Sequence, residues 1–208
     1  MARSKQYNEE EVIEKAMGLF WRNGYGNTSV RMLEKEMGIN QFSIYSSFGS
    51  KNGVFLECIK SYKKKIHRIT EILEKSNNGV IGIKQYFYDF LEFSKDDNGK
   101  KGCLVTNTVN ELGEHGDPII MTELKSFFNE IKTLFANNLK QDKNKAQKRI
   151  DKQANYLAAS MLGLSLASKI LRREQLEDFI ETAFNNLWLF FITFLSICLE
   201  INPELNKQ

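Results

Sequence analysis

Cysteine is scarce in this 208-residue chain, with three residues, and histidine scarcer, with two. Cys58, Cys103 and Cys198 are odd in number and widely separated, so no paired spacing suggests a zinc site or a disulfide framework. Neither His67 nor His115 stands at helical spacing from a second histidine, which leaves a hydrolytic metal without a ligand set; each reads as a surface or polar-core residue. A glycine loop of the P-loop or dinucleotide type is missing, as is a Gly-x-Ser-x-Gly elbow. The acidic pair Asp96-Asp97 adjoins Asn98-Gly99 and reads as a turn. The expectation is therefore no enzyme, no cofactor and no metal. Long hydrophobic runs are lacking too. The most apolar stretch, Leu187 to Leu199, lies between Asn185-Asn186 and Glu200, short of the roughly 20 residues of a spanning helix. The start of the chain lacks the apolar core of a secretory signal, which points to the cytoplasm. Strand-type alternation of useful length is absent, and the helical period prevails throughout.

Charge is nearly balanced, at a formal +3, but unevenly placed. Residues 1–75 hold 13 of the 29 Lys and Arg against 9 of the 26 Asp and Glu; the remainder is close to neutral. Excess positive charge on one module is what counterion release from a nucleic-acid backbone requires, though the excess is small. Arg3 and Lys5 form either an arm that reaches such a backbone or a solvated terminus.

The amino-terminal pattern is the densest in the chain. Asn8 can cap a helix from Glu9, with Glu11 in the capping-box position and Tyr7 and Val12 as a staple. Val12, Ile13, Ala16, Met17, Leu19 and Phe20 then make one stripe that ends at Asn23-Gly24. Thr28 or Asn27 caps a shorter helix whose inward face is Val30, Leu33 and Met37, and Gly38 supplies the reversal typical of a helix-turn-helix. Asn40 starts a third helix, near Gln41 to Ser47, with Ile44 and Phe48 inward and Gln41, Phe42, Ser43 and Tyr45 outward. In such a pair the second helix enters the major groove. Asn40 and Gln41 have the groups for two bonds to adenine, and Phe42 suits a thymine methyl. Thr28, Ser29, Arg31, Tyr45 and Lys51 suit phosphates, together with the backbone N–H groups of a helix opening after Ser50. The alternatives are a half-buried Tyr45 and a Phe42 that plugs the module's own core.

The run Phe20, Gly24, Tyr25, Thr28, Ser29, Val30, followed by Ile44, Tyr45, Phe48, Ser50 and Lys51, resembles the amino-terminal signature of the TetR family of bacterial transcriptional regulators. The likeness covers about a quarter of the chain. Leu33-Glu34 and Met37 stand where the family usually carries an Ile-Ala pair and then an alanine directly ahead of the glycine. The resemblance implies an all-α fold of about nine helices. Residues 1–50 would be a three-helix DNA-binding domain, and residues 51–208, entered by a connecting helix, a helical ligand-binding and dimerisation domain. It further implies a homodimeric repressor on a palindromic double-stranded operator, released by a small-molecule effector.

Beyond residue 50 the sequence supports that outline. A fourth helix carries Phe55, Ile59, Tyr62, Ile66, Ile69 and Leu73 in steps of three and four, with Lys63 to Lys65 as a solvated face. Cys103 to Leu112 and a long helix after Asp117-Pro118 follow, then helices near Ile150 to Leu171 and Glu174 to Leu199. Small residues in the first of that pair and apolar residues all round the second fit a helix–helix partner, with Ala158, Gly163, Trp188, Phe191 and Leu195 as interface candidates. For an effector, partly apolar or aromatic, the candidates are Tyr86, Phe87, Phe90, Cys103, Phe127, Phe128, Phe135, Tyr156 and Met161, with Asn107, Asn110, Glu111 and His115 as polar anchors. Most of these also read as core. Cys103, close to Lys100 and Lys101, could act as a redox- or electrophile-sensing thiol, or be a small buried hydrophobe. A chromosome-organising DNA-binding protein is the other alternative.

Overall fold

A computed structural model describes residues 7–95, 101–185 and 187, and its ordered elements are helices: α1 Glu9–Asn23, α2 Val30–Met37, α3 Gln41–Phe48, α4 Lys51–Lys75, α5 Val80–Phe93, α6 Leu104–Leu112, α7 Pro118–Leu139 and α8 Gln147–Ala167. Residues 173–185 are helical as well. All-α is thus the fold class among the described residues.

The helix ends are local chemistry. Asn8 accepts from the Glu10 and Glu11 N–H groups, but the reciprocal half of the capping box is unused, because the Glu11 carboxylate pairs with Lys15 at 2.6 Å. That pairing holds the Glu11 carboxyl below its ordinary pKa. Ser29, not Thr28 or Asn27, caps α2 by accepting from Met32 N at 3.2 Å. Asn40, Ser50 and Asp117 cap α3, α4 and α7, and Pro118 opens α7 where its missing N–H is not needed. Helix α8 stops at Ala167, four residues before the expected Leu171. There the Ser168 hydroxyl donates to Ser165 O and the amides of Lys169 and Ile170 reach back only three residues, tightening the last turn.

Two glycines are required by geometry. Gly38 ends α2 in the left-handed region at φ 70°. A Cβ on Gly53 would lie 1.8 Å from the Phe48 carbonyl oxygen, so the reversal from α3 into α4 is possible only with glycine there.

Helix α4 is the spine, packed on α1 and α3 toward one end and on α5 and α7 toward the other. The amino-terminal core gathers Ala16, Met17, Phe20, Leu33, Met37 and Ile44 against Val54 and Phe55. Phe20 and Phe55 meet edge to face at 4.9 Å, with Tyr25 stacked on Phe20 and 5.0 Å from Phe55. Farther along, Tyr86, Phe87, Phe135 and Phe184 fill the body. Trp21 joins the two regions: its ring packs on Tyr62 at 5.2 Å and its indole N–H donates to Lys101 O at 3.1 Å. The lysine run of α4 is not merely solvated. Lys63 pairs with Glu130 of α7 at 2.8 Å, and Lys65 pairs with Glu14 of α1.

Candidate nucleic-acid interface and interior cavity

Helix α3 presents a polar and aromatic face because its one fully buried side chain, Ile44, pins the opposite side. Phe42 is 80% exposed and Tyr45 49% exposed, so neither is a plug for the local core. Gln41 and Ser46 share that outer face, Ser43 is half-buried, and Arg31 is exposed on α2. Asn40 has a different occupation from the one expected: its side-chain oxygen accepts from Ser43 N at 2.8 Å, so pairing with adenine through two bonds would cost the helix its cap. Gln41 retains a free-standing side-chain amide, while its backbone N–H lies 3.4 Å from a Glu34 carboxylate oxygen.

The phosphate candidates divide. Ser29 is exposed but serves as cap. Thr28 must be withdrawn as a phosphate ligand: it is fully buried, and its hydroxyl donates to Gly24 O at 2.6 Å, tying off the loop after α1. The half-buried Lys51 ammonium stands 4.3 Å from the centre of the Tyr25 ring. Burial lowers its pKa, and the nearby Glu111 carboxylate opposes that shift. Tyr25 donates its hydroxyl proton to Asn52, whose amide donates to Asp117 at 2.6 Å. Burial first, and Asp117 second, raise the Tyr25 pKa.

In the body, α4, α5, α6, α7 and α8 enclose a small apolar cavity of about 40 Å³. Six of the expected effector contacts line it: Tyr86, Phe90, Cys103, Phe127, Phe128 and Met161. Thr106, Ser165, Ile66, Val105, Ile131 and Leu162 line it too and had not been anticipated. Thr106 and Ser165 carry no signal in the sequence beyond helical position. Ala158 also faces this cavity, so it is not an outward interface residue. Behind the wall the buried Tyr62 hydroxyl donates to the Cys103 sulfur at 3.1 Å. Burial, and then Cys103, push the Tyr62 pKa well up, which keeps that hydroxyl a neutral donor.

The other expected contacts lie elsewhere. Phe87 and Phe135 pack on each other, and Phe87 also on Phe184, away from the cavity lining. Tyr156 is 42% exposed on the outer side of α8. Asn107 turns its amide to Lys101 O, and Asn110 and His115 are exposed. Glu111 leaves the cavity altogether, its carboxylate accepting from Tyr25 N at 2.7 Å and Gly26 N at 2.6 Å. The Lys101 ammonium sits over the Trp21 ring at 3.8 Å, Cys103 is itself buried, and Lys100 lies outside the described residues.

The outer side of α8 exposes Tyr156, Ala159, Leu162, Gly163 and Leu166 at steps of three and four, and Ile170 is exposed in the turn that follows. Trp188, Phe191 and Leu195 lie outside the described residues. Among the described residues no group of three His, Cys, Asp or Glu side chains could hold a metal ion, and no helix is long and apolar enough to cross a membrane.

A helix-turn-helix with its recognition face open to solvent, carried by a helical body with an apolar interior, defines a DNA-binding transcriptional regulator. Residues 12–58 match the model of the bacterial regulatory proteins of the tetR family. The chain is 26% identical over 194 residues, 90% of its length and all of the relative's, to the uncharacterised HTH-type transcriptional regulator YezE of Bacillus subtilis. It is 27% identical over 126 residues, 60% of each chain, to the HTH-type transcriptional repressor ComR of Escherichia coli. In fold it resembles a cysteine mutant of the TetR-family transcriptional regulator CifR complexed with 26-bp double-strand operator DNA, with a TM-score of 0.78 at 25% identity over 88% of this chain and 98% of that one. Residues 12–58 thus carry the DNA-binding module of the tetR family, and over most of its length the chain is similar to transcriptional regulators.

Proposed function

We propose that the protein is a homodimeric repressor that occupies a palindromic operator and leaves it when a small, partly apolar or aromatic effector enters the body. The observation that carries this reading is the pairing of an exposed Gln41–Phe42–Tyr45 face on α3 with an apolar cavity walled by α6 in the same chain. The repressor named ComR and the operator complex of CifR support the sign of regulation and the kind of DNA. The division at residues 50 and 51 is part of the proposal, with α4 serving both halves, and so is a cytoplasmic location.

Dimerisation follows from the outer face of α8. Three large apolar side chains exposed on α8, Tyr156, Leu162 and Leu166, with Gly163 allowing close approach, need a partner helix, and a two-fold axis sets two α3 helices about one DNA turn apart. The effector has to enlarge its cavity, because about 40 Å³ admits little more than a water and a drug-sized ligand needs roughly 300 Å³ or more. Occupancy is therefore coupled to movement of the walls. An effector that prefers the enlarged state depletes the DNA-competent one in proportion to that preference.

The test is a fluorescence-anisotropy titration against the DNA upstream of the protein's own gene and a scrambled duplex, at two salt concentrations. Tight, salt-sensitive preference for the native fragment is the expected result. Equal affinity for both duplexes would favour a chromosome-organising protein instead.

A further inference from the structure

We infer that Glu111 is a positioning residue for DNA reading: through it the cavity-walling helix α6 sets the pose of the helix-turn-helix. The inference rests on the function proposed above and assigns a residue to the coupling. Glu111 lies in the last turn of α6, and its two carboxylate oxygens accept from two successive backbone amides, Tyr25 at 2.7 Å and Gly26 at 2.6 Å, in the loop between α1 and α2. Adjacent N–H groups converging on one carboxylate make an anion-holding concavity, and charge-assisted bonds of this kind are roughly twice as strong as neutral ones. The approach is close at both neighbouring glycines. A Cβ on Gly24 would stand 2.7 Å from one Glu111 oxygen and a Cβ on Gly26 would stand 2.9 Å from the other. Lys51, stacked on the Tyr25 ring, feels the same carboxylate.

The other end of α6 is in the cavity: Cys103 at its N-cap, then Val105 and Thr106, form part of the wall. A helix of nine residues is a stiff rod about 13 Å long, so a shift that enlarges the cavity is delivered to Glu111. The loop it holds leads through Thr28 directly into the Ser29 cap of α2, and α2 carries α3. Tyr25 is also fastened from a second direction, through Asn52 to Asp117 at the start of α7. The reading helices are thereby aimed by groups belonging to the body, and a movement of α6 re-aims them without unfolding either part.

The experiment compares the full-length wild type with Glu111→Ala, Glu111→Gln and, as a control, Glu130→Gln, which loses the Lys63 pair between α4 and α7 without touching the α1–α2 loop. The DNA probes are a duplex selected by the wild type from a random library and a scrambled duplex. Folding of each variant is checked by its thermal midpoint. Glu111→Ala is expected to lose roughly 5- to 10-fold on the selected duplex, in the lower range of couplings between sites, with little change on the scrambled one. Glu111→Gln should fall between Ala and wild type, since it keeps one acceptor, and Glu130→Gln should bind as wild type. Hydrogen exchange of the Tyr25 and Gly26 amides should accelerate in Glu111→Ala alone. Folded Glu111 variants that keep wild-type selectivity and wild-type amide protection would overturn the inference. A wild type that selects no duplex would overturn the repressor reading itself, and the exchange measurement would then still report whether Glu111 holds the loop.

Discussion

The amino-terminal head exposes the groups it uses, whereas the body buries them. On α3 the inward Ile44, with Phe48 packed against the same core, leaves Gln41, Phe42 and Tyr45 in solvent, where a duplex can reach them. In the body the cavity wall is made of Tyr86, Phe90, Phe127 and Met161, the same kinds of side chain that make the core one turn away at Phe87 and Phe135. A surface that reads a rigid duplex is best preorganised, whereas a site that must respond to a ligand is best left under-filled and able to yield. The difference shows in polar chemistry as well. The head's loops are pinned by hydroxyl and amide caps, and the body's contact with the head runs through Glu111, Asn52 and the Trp21 indole.

Removing a shared aromatic should erase the contrast. Phe20→Ala takes a fully buried ring from between Tyr25 and Phe55 and should cost about 3–5 kcal/mol, with operator binding lost along with the head, as measured by chemical denaturation and anisotropy. Changing the exposed face should sharpen it. Phe42→Ala and Gln41→Ala should leave stability within about 0.5 kcal/mol, yet weaken a selected duplex by about 1–3 kcal/mol and a scrambled one much less. Lys51→Ala should weaken both duplexes alike and reduce the salt slope by about one. Loss of both discriminations together would merge contact and positioning into one effect.

The caps come next in size. Ser29→Ala should cost about 1 kcal/mol in stability through the α2 cap, and Thr28→Ala about 1–3 kcal/mol because it removes the buried hydroxyl that donates to Gly24 O. If Thr28→Ala instead changed the salt slope at constant stability, the residue would belong to the phosphate interface after all. The smallest effect lies in the body. The Glu181 carboxylate accepts from Lys84 at 2.6 Å and from the Tyr88 hydroxyl at 2.7 Å; both bonds, Lys84 first, hold its pKa below the ordinary value. Burial and that bond push Tyr88 up to about 12. A lowered folded pKa contributes stability that is present above the unfolded value and is lost as pH falls through the folded one. Glu181→Gln should therefore lower the thermal midpoint slightly at pH 7 and leave it unchanged near pH 3.

Much of the head was legible in the sequence, because each of its signals is local. Asn8, Asn40 and Ser50 cap the amides three residues or fewer ahead, and Gly38 ends α2 because only its own backbone has to turn. Where local reading failed, the cap of α2 fell one residue beyond the candidates Asn27 and Thr28: the loop buries the Thr28 hydroxyl and leaves Ser29 to take the role. In the body an aromatic at helical spacing announces an inward face but not whether that face meets a side chain or a void. Phe87 and Phe90 were indistinguishable on paper, and only the packing of α5 between Phe135, Phe184 and the cavity separated them.

By itself, then, the sequence determined the helices, most of their caps, the order of the helix-turn-helix and the outward character of α3, since these depend on period and on contacts a few residues apart. Tertiary structure decided that Thr28 is internal, that Ala158 faces a cavity, and that Glu111 reaches across 85 residues of chain to the Gly26 amide. Those outcomes depend on how separate helices cross, and the angle and offset of a crossing are set by the summed packing of both faces, a quantity no local stretch of residues contains.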